Sequence, residues 1–158
     1  MKIGISGCLG FFNCRYDGSG FNDYDLAGLE TYLKERYQTD YIEFIPVCPE
    51  QLGGLTTPRV PAEITGGKAT EVISGKAKVI TREGKDVSDA FLRGAKEVSA
   101  LAEKVSIRVF VLKENSPSCG SKKVYSGSFN GKLIPGMGIT SAFLRQKSIE
   151  ILPDNCIE

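Results

Sequence analysis

The chain contains no histidine. That absence excludes a Ser–His–Asp triad, a Cys–His dyad and every His-ligated metal site. Proton transfer near neutral pH falls instead to Glu, Asp, Lys, Cys, Tyr or water. An excess of either charge is also missing: 20 basic and 19 acidic side chains leave a formal charge of +1. A dedicated nucleic-acid binder would carry a basic excess, so no nucleic-acid partner is expected. The longest clean apolar run, Val109–Phe110–Val111–Leu112, falls far short of the roughly 18 residues that read as a membrane span, so no membrane partner is expected either. Met1–Lys2–Ile3–Gly4–Ile5 meets a glycine too early for a signal peptide. Cysteine is scarce and odd in number, five in all, which does not suit a disulfide scaffold. These features point to a reducing, cytoplasmic setting. Cysteines there are buried fillers, nucleophiles or metal ligands.

The rest of the composition is that of an ordinary globular chain, 41% hydrophobic and 25% charged. Its 158 residues fit one domain. Lys2 to Ser6 reads as a strand, followed by a glycine-rich stretch from Gly7 to Gly20. Asp23 stands as an N-cap before Leu26, Leu29, Leu33 and Tyr37, which recur at helical spacing. A strand over Tyr41 to Val47 ends at Cys48–Pro49, and residues 53–68 read as loop. Thr70–Ile73 and Ala77–Thr81 around Ser74–Gly75 read as a small hairpin. Asp86 or Ser88 caps the strongest helix, whose apolar face runs from Val87 and Phe91 to Val105. Ile107 to Leu112 is the most strongly buried strand, and Lys113 to Lys123 is loop. A hairpin-like segment, Val124 to Leu133, precedes a short helix capped by Thr140 over Ser141 to Gln146. Ser148 to Leu152 is the final strand, with a frayed tail expected from Pro153. Strands alternating with helices predict a single α/β domain over residues 1–158. Its core would be a mostly parallel sheet of about four strands, with helices on both faces and a small β-hairpin insertion.

Three cysteines fall at equivalent points of that pattern. Cys8 follows the first strand, Cys48 the second and Cys119 the strand ending at Leu112. In an open parallel sheet the carboxyl ends of the strands share one edge, where ligands bind. The three sulfurs are therefore expected to converge. Pro49 suits the first position of a helical turn. That would place Cys48 at a helix N-terminus, where backbone N–H groups lower a thiol pKa. Cys119 sits in Ser116–Pro117–Ser118–Cys119–Gly120, whose amides are expected to form a nest for an anion. Three thiolates without imidazole favour zinc, copper(I) or iron–sulfur, and leave one coordination position open. The opposing reading is that all three are small hydrophobes in tight loops. Cys14, which follows no strand, and Cys156, in the tail, read as such fillers.

Several short motifs occur together in fixed order: Ser6–Gly7–Cys8–Leu9, Arg15–Tyr16–Asp17–Gly18, Pro46–Val47–Cys48–Pro49–Glu50, Thr57–Pro58–Arg59 through Glu63, and Ser116–Pro117–Ser118–Cys119–Gly120. Through them nearly the whole chain resembles the thiouracil desulfidase family, a small single-domain family formerly labelled a domain of unknown function. The resemblance implies a 4Fe-4S cluster held by Cys8, Cys48 and Cys119 with its fourth iron free. That iron would take the sulfur of a thiolated pyrimidine, and sulfide would be released later. It further implies a functional pair, here Glu50 and Ser116. Gly7, where the family carries alanine, and Met137, at a position often polar in relatives, depart from the pattern.

The implied activity is a non-redox desulfurisation of a small thio-nucleobase, replacing sulfur by oxygen. Glu50 would move protons while water replaces sulfur. Ser116 has no base beside it in sequence, so it would orient water or substrate by hydrogen bonding rather than attack. Arg15, Asp17 and Arg59 are candidates for binding the substrate's carbonyl and N–H edges, but for these residues and Glu63 the favoured reading is that they brace their Gly/Pro-rich loops through ion pairs. Two rivals remain: a metal-free sulfur-transfer enzyme using a persulfide on a low-pKa cysteine, and a non-catalytic metal-binding module.

Overall fold

The computed structural model describes every residue from Met1 to Glu158. Its centre is a four-stranded, all-parallel sheet in the order β2-β1-β5-β8, formed by β1 (Lys2–Ser6), β2 (Glu43–Val47), β5 (Val109–Leu112) and β8 (Glu150–Pro153). Such a sheet is buried on both faces, and β5 shows why. Val109 and Val111 belong to one core cluster, whereas Phe110 and Leu112 belong to the other. Helix α1 (Leu26–Tyr37) covers the first face through Leu29 and Leu33. Helices α4 (Ser88–Val105) and α5 (Ile139–Gln146) cover the second through Val98, Ala102 and Leu144. The crossover direction therefore reverses between β1 and β5, which makes their carboxyl ends a topological switch point. No helix is long and apolar enough to cross a membrane.

Two antiparallel pairs flank the sheet: β3 (Ala62–Thr65) with β4 (Lys78–Thr81), and β6 (Lys123–Tyr125) with β7 (Leu133–Pro135). The first differs from the expected hairpin. Residues Ala69–Ile73 form the short helix α3, and the partner of β4 comes from the segment read as loop. The glycines Gly66 and Gly67 turn the chain at positive φ, and the Glu71 side chain then accepts from the Lys68 N–H. That cap closes a helical turn where β-branched residues alone suggest a strand.

Local caps also shift. Asp25, not Asp23, caps α1, accepting from the Gly28 N–H. The Asp86 carboxylate accepts from both Ser88 N–H and Ser88 Oγ at the start of α4. The segment after Pro153 is not frayed. Asp154 accepts from Lys113 Nζ at 2.7 Å and from the Glu114 N–H at 2.7 Å, and its carbonyl accepts from Tyr24 Oη at 2.6 Å. A charged residue close behind the last strand thus ties the tail to the loop that leaves β5.

Candidate active site

Cys8, Cys48 and Cys119 all line one cavity of about 540 Å³ at the carboxyl edge of the parallel sheet. Glu50, Ser116, Arg15 and Arg59 line it too, but Asp17 does not. Asp17 is exposed and accepts from Ser19 N–H and Oγ, with Arg15 at 3.7 Å. Its short side chain caps its own turn instead of reaching inward. Arg15 packs its guanidinium over the Phe21 ring, 4.7 Å from the centroid, and Lys113 approaches the same ring at 4.9 Å. The structure adds Cys14 to the cavity wall, 3% exposed. Cys156 lies elsewhere, packed against the core beneath α1. Cys14 comes from the glycine-rich loop, which doubles back so that its carbonyl meets Cys48 Sγ at 3.8 Å. No sequence period marks such a return.

Helix α2 (Pro49–Leu52) begins at Cys48, as Pro49 suggested. The expected lowering of its thiol pKa is not found. Hydrogen bonding with Cys14 and burial push the Cys48 thiol up, outweighing the helpful Gln51 N–H. A single turn of helix has too few aligned peptides to offset that burial. Cys14 is raised to about 11, where a lowering contact from Cys48 is outweighed by contact with Cys8 and by burial. Burial takes Cys119 to about 12.

The nest expected around Cys119 is already filled. Ser116 Oγ accepts from the N–H groups of Ser118 and Cys119 at 3.2 and 3.1 Å. The next amides, of Ser121, Lys122 and Lys123, surround the Glu114 carboxylate. Helix α5 holds the other side of this loop. Its first N–H groups donate to the carbonyls of Pro117 and Ser118, and Ser141 Oγ donates to the Cys119 carbonyl at 2.6 Å. Ser118 Oγ contacts both Ser116 Oγ at 2.9 Å and Cys119 Sγ at 3.7 Å, so a short hydroxyl chain ends at the sulfur.

Glu50 is 17% exposed and pairs through Oε2 with Arg59 Nη2 at 2.8 Å. Its other oxygen, Oε1, takes no hydrogen bond from the protein. Glu63, also on the wall, is buried, and its Oε1 accepts from the N–H groups of Gly127 and Phe129. That is a loop brace. Of the two departures noted in the sequence, Gly7 lies on the cavity wall and Met137 outside it. Met137 packs against the core under α3, and Phe12 occupies the space a side chain at Gly7 would need.

The sequence profile of the 2-thiouracil desulfurase family matches residues 3–155. The chain belongs to that family. Among its relatives is an uncharacterized Bacillus subtilis protein, YbbK, 42% identical over 151 residues, covering 96% of this chain and 94% of that protein. A solved structure, the 4Fe-4S-dependent thiouracil desulfidase TudS, shares the desulfurase-family fold at 36% identity. It superposes with a TM-score of 0.79 over 98% of this chain and 91% of its own.

Proposed function

We propose that this chain is an iron–sulfur-dependent desulfidase of a thiolated pyrimidine of the 2-thiouracil kind, built as one domain over residues 1–158. The observation that carries the reading is the meeting of Cys8, Cys48 and Cys119 with Glu50 and Ser116 around one cavity at the sheet's switch point. Family membership and the 4Fe-4S dependence of the structural neighbour point the same way. The donors fit such a cluster. They are thiols without imidazole, on three separate loops, and all three line the one cavity. A cluster spreads its ligands over several irons. Cys8, Cys48 and Cys119 would hold it, and the open iron would supply a Lewis acid for the thiocarbonyl sulfur.

The chain's own groups then account for the proton traffic. Arg59 occupies Oε2 of Glu50, which leaves Oε1 to take a proton from water. The water oxygen bonds to the carbon as the carbon–sulfur bond breaks. Thiocarbonyl and water become carbonyl and hydrogen sulfide, with no electrons gained or lost. Ser116 shapes the loop that presents Cys119, and Arg15 offers guanidinium donors to the substrate's polar edge. A metal-free persulfide route needs a thiol that ionises readily, yet Cys48 and Cys119 are both pushed up.

The test is purification and reconstitution without oxygen, followed by iron and sulfide quantification, a visible spectrum and incubation with 2-thiouracil. The expected result is a brown protein with about four irons per chain that converts 2-thiouracil to uracil and releases sulfide. An iron-free, colourless chain after reconstitution overturns the cluster. A loaded chain that leaves both 2- and 4-thiouracil intact overturns the substrate class.

A further inference from the structure

Arg59 sits where three segments of the cavity wall meet. Its Nη2 donates to Glu50 Oε2 at 2.8 Å and to the Cys14 carbonyl at 2.9 Å. Its Nη1 donates to Thr57 Oγ1 at 2.9 Å and to the Thr56 carbonyl at 3.2 Å. Its backbone N–H donates to the Tyr16 carbonyl at 2.7 Å. A guanidinium has five N–H donors. Four are spent within the chain, and the fifth, on Nε, is sealed from solvent without a partner. No donor that solvent reaches is left for a ligand, although the side chain, 7% exposed, forms part of the cavity wall. These bonds match the loop-bracing role that the sequence offers for Arg59 beside the substrate-binding one.

We infer that Arg59 is a positioning residue: one guanidinium nitrogen fixes the Glu50 carboxylate and ties it to the backbone of the Cys14–Tyr16 segment. The inference rests on the desulfidase reading for its catalytic consequence, and on the hydrogen bonds alone for its structural one. Without the clamp, Glu50 is free to swing, and its catalytic oxygen is no longer held toward the reacting water. Lysine cannot substitute, because a single ammonium lacks the planar fork that reaches Glu50, Cys14 and the Thr56–Thr57 segment together.

The experiment compares Arg59→Lys, Arg59→Gln, Glu50→Gln and the double variant Glu50→Gln/Arg59→Gln in the reconstituted enzyme. Arg59→Lys should lower kcat and kcat/KM together by about 10²-fold, with KM and iron content unchanged. Arg59→Gln should cost far less on the Glu50→Gln background than alone, since both changes disable one unit. Hydrogen exchange at residues 14–16 and 48–50 should accelerate together in Arg59→Lys. A raised KM with intact kcat would show that Arg59 touches substrate and overturn the inference. Additive losses, or iron loss from Arg59→Lys, would do the same. Should Arg59→Gln fail to fold alone, the lysine variant and the double variant, which removes both charges, still decide. A wild-type enzyme without iron or turnover defeats the functional reading instead. In that case unchanged exchange at both segments still defeats the clamp, and accelerated exchange sustains it.

Discussion

A buried thiol keeps its proton because the thiolate would lose hydration it cannot recover. In this cavity that holds for Cys119, while contacts among the thiols add to burial in raising Cys48 and Cys14. A cation is the partner that converts such thiols into ligands. Serine in place of Cys8, Cys48 or Cys119 should therefore abolish iron retention, whereas Cys14→Ser and Cys156→Ser should keep it, as iron per chain after reconstitution will show. Glu50→Gln should keep the cluster and lose turnover by about 10²–10⁴-fold, the scale of a missing general base. That corresponds to about 3–5.5 kcal/mol of barrier. Iron loss from this variant would make Glu50 a ligand or a support. At this scale the sequence was informative where a residue follows a strand, as Cys8, Cys48, Glu50 and Cys119 do. It read Cys14 as a filler and did not single out the Glu50–Arg59 pair, because nothing local encodes which loop folds against which.

The elements fix how the site is aimed. Helix α2, which starts at Cys48 and carries Glu50, lies against α4 with backbone nearly touching backbone. A side chain at Gly94 would strike the Pro49 carbonyl oxygen, and one at Gly53 would strike that of Ala90. Gly94→Ala should push α2 away from α4. It should lower stability by about 1–3 kcal/mol, the usual cost of overpacking, and should reduce turnover beyond what the melting temperature explains. Urea unfolding and rate measurements on one preparation check both, and an unchanged rate would show that α2 tolerates the shift. The long helix and the parallel strands were legible because their apolar periods are strong. The segment 62–81 was not. Its strand is four residues long, and its helix depends on a cap from Glu71 and a turn at Gly66–Gly67 rather than on periodicity.

For the molecule as a whole, the missing histidine sets the response to pH. Without it, no side-chain type in the chain has an ordinary pKa between about 5 and 8. On the alkaline side, burial raises Tyr24 and raises Tyr37 to about 12. A raised folded-state pKa means that the stabilisation is complete below the unfolded value of about 10 and is lost as pH climbs through the folded one. On the acid side, burial works against Glu150, but bonds from Arg36 and Tyr37 win and hold its carboxyl below the usual range. That stabilisation is present above an unfolded pKa of about 4.3 and is lost below it. The pair is well exposed, so its contribution is small. The unfolding free energy from urea titration should thus be level across pH 5–8, begin to decline above about pH 8.5 as the raised thiols of Cys14, Cys48 and Cys119 come into play, and decline further above about pH 10 together with tyrosinate absorbance. A steep slope near pH 6–7 would contradict this.

The pairing of β1 with β5 has a consequence for how the protein is made. Cys8 lies just past β1 and Cys119 just past β5. A ribosome adding about 5–20 residues per second delivers the second roughly 5–20 s after the first. Even then the Cys119 loop lacks the α5 amides that pin it, which are encoded later still. Throughout that interval Cys8, Cys14 and Cys48 have no finished pocket around them. On the proposed ligand set a cluster would be loaded only after synthesis, and the nascent thiols are open to oxidants until then.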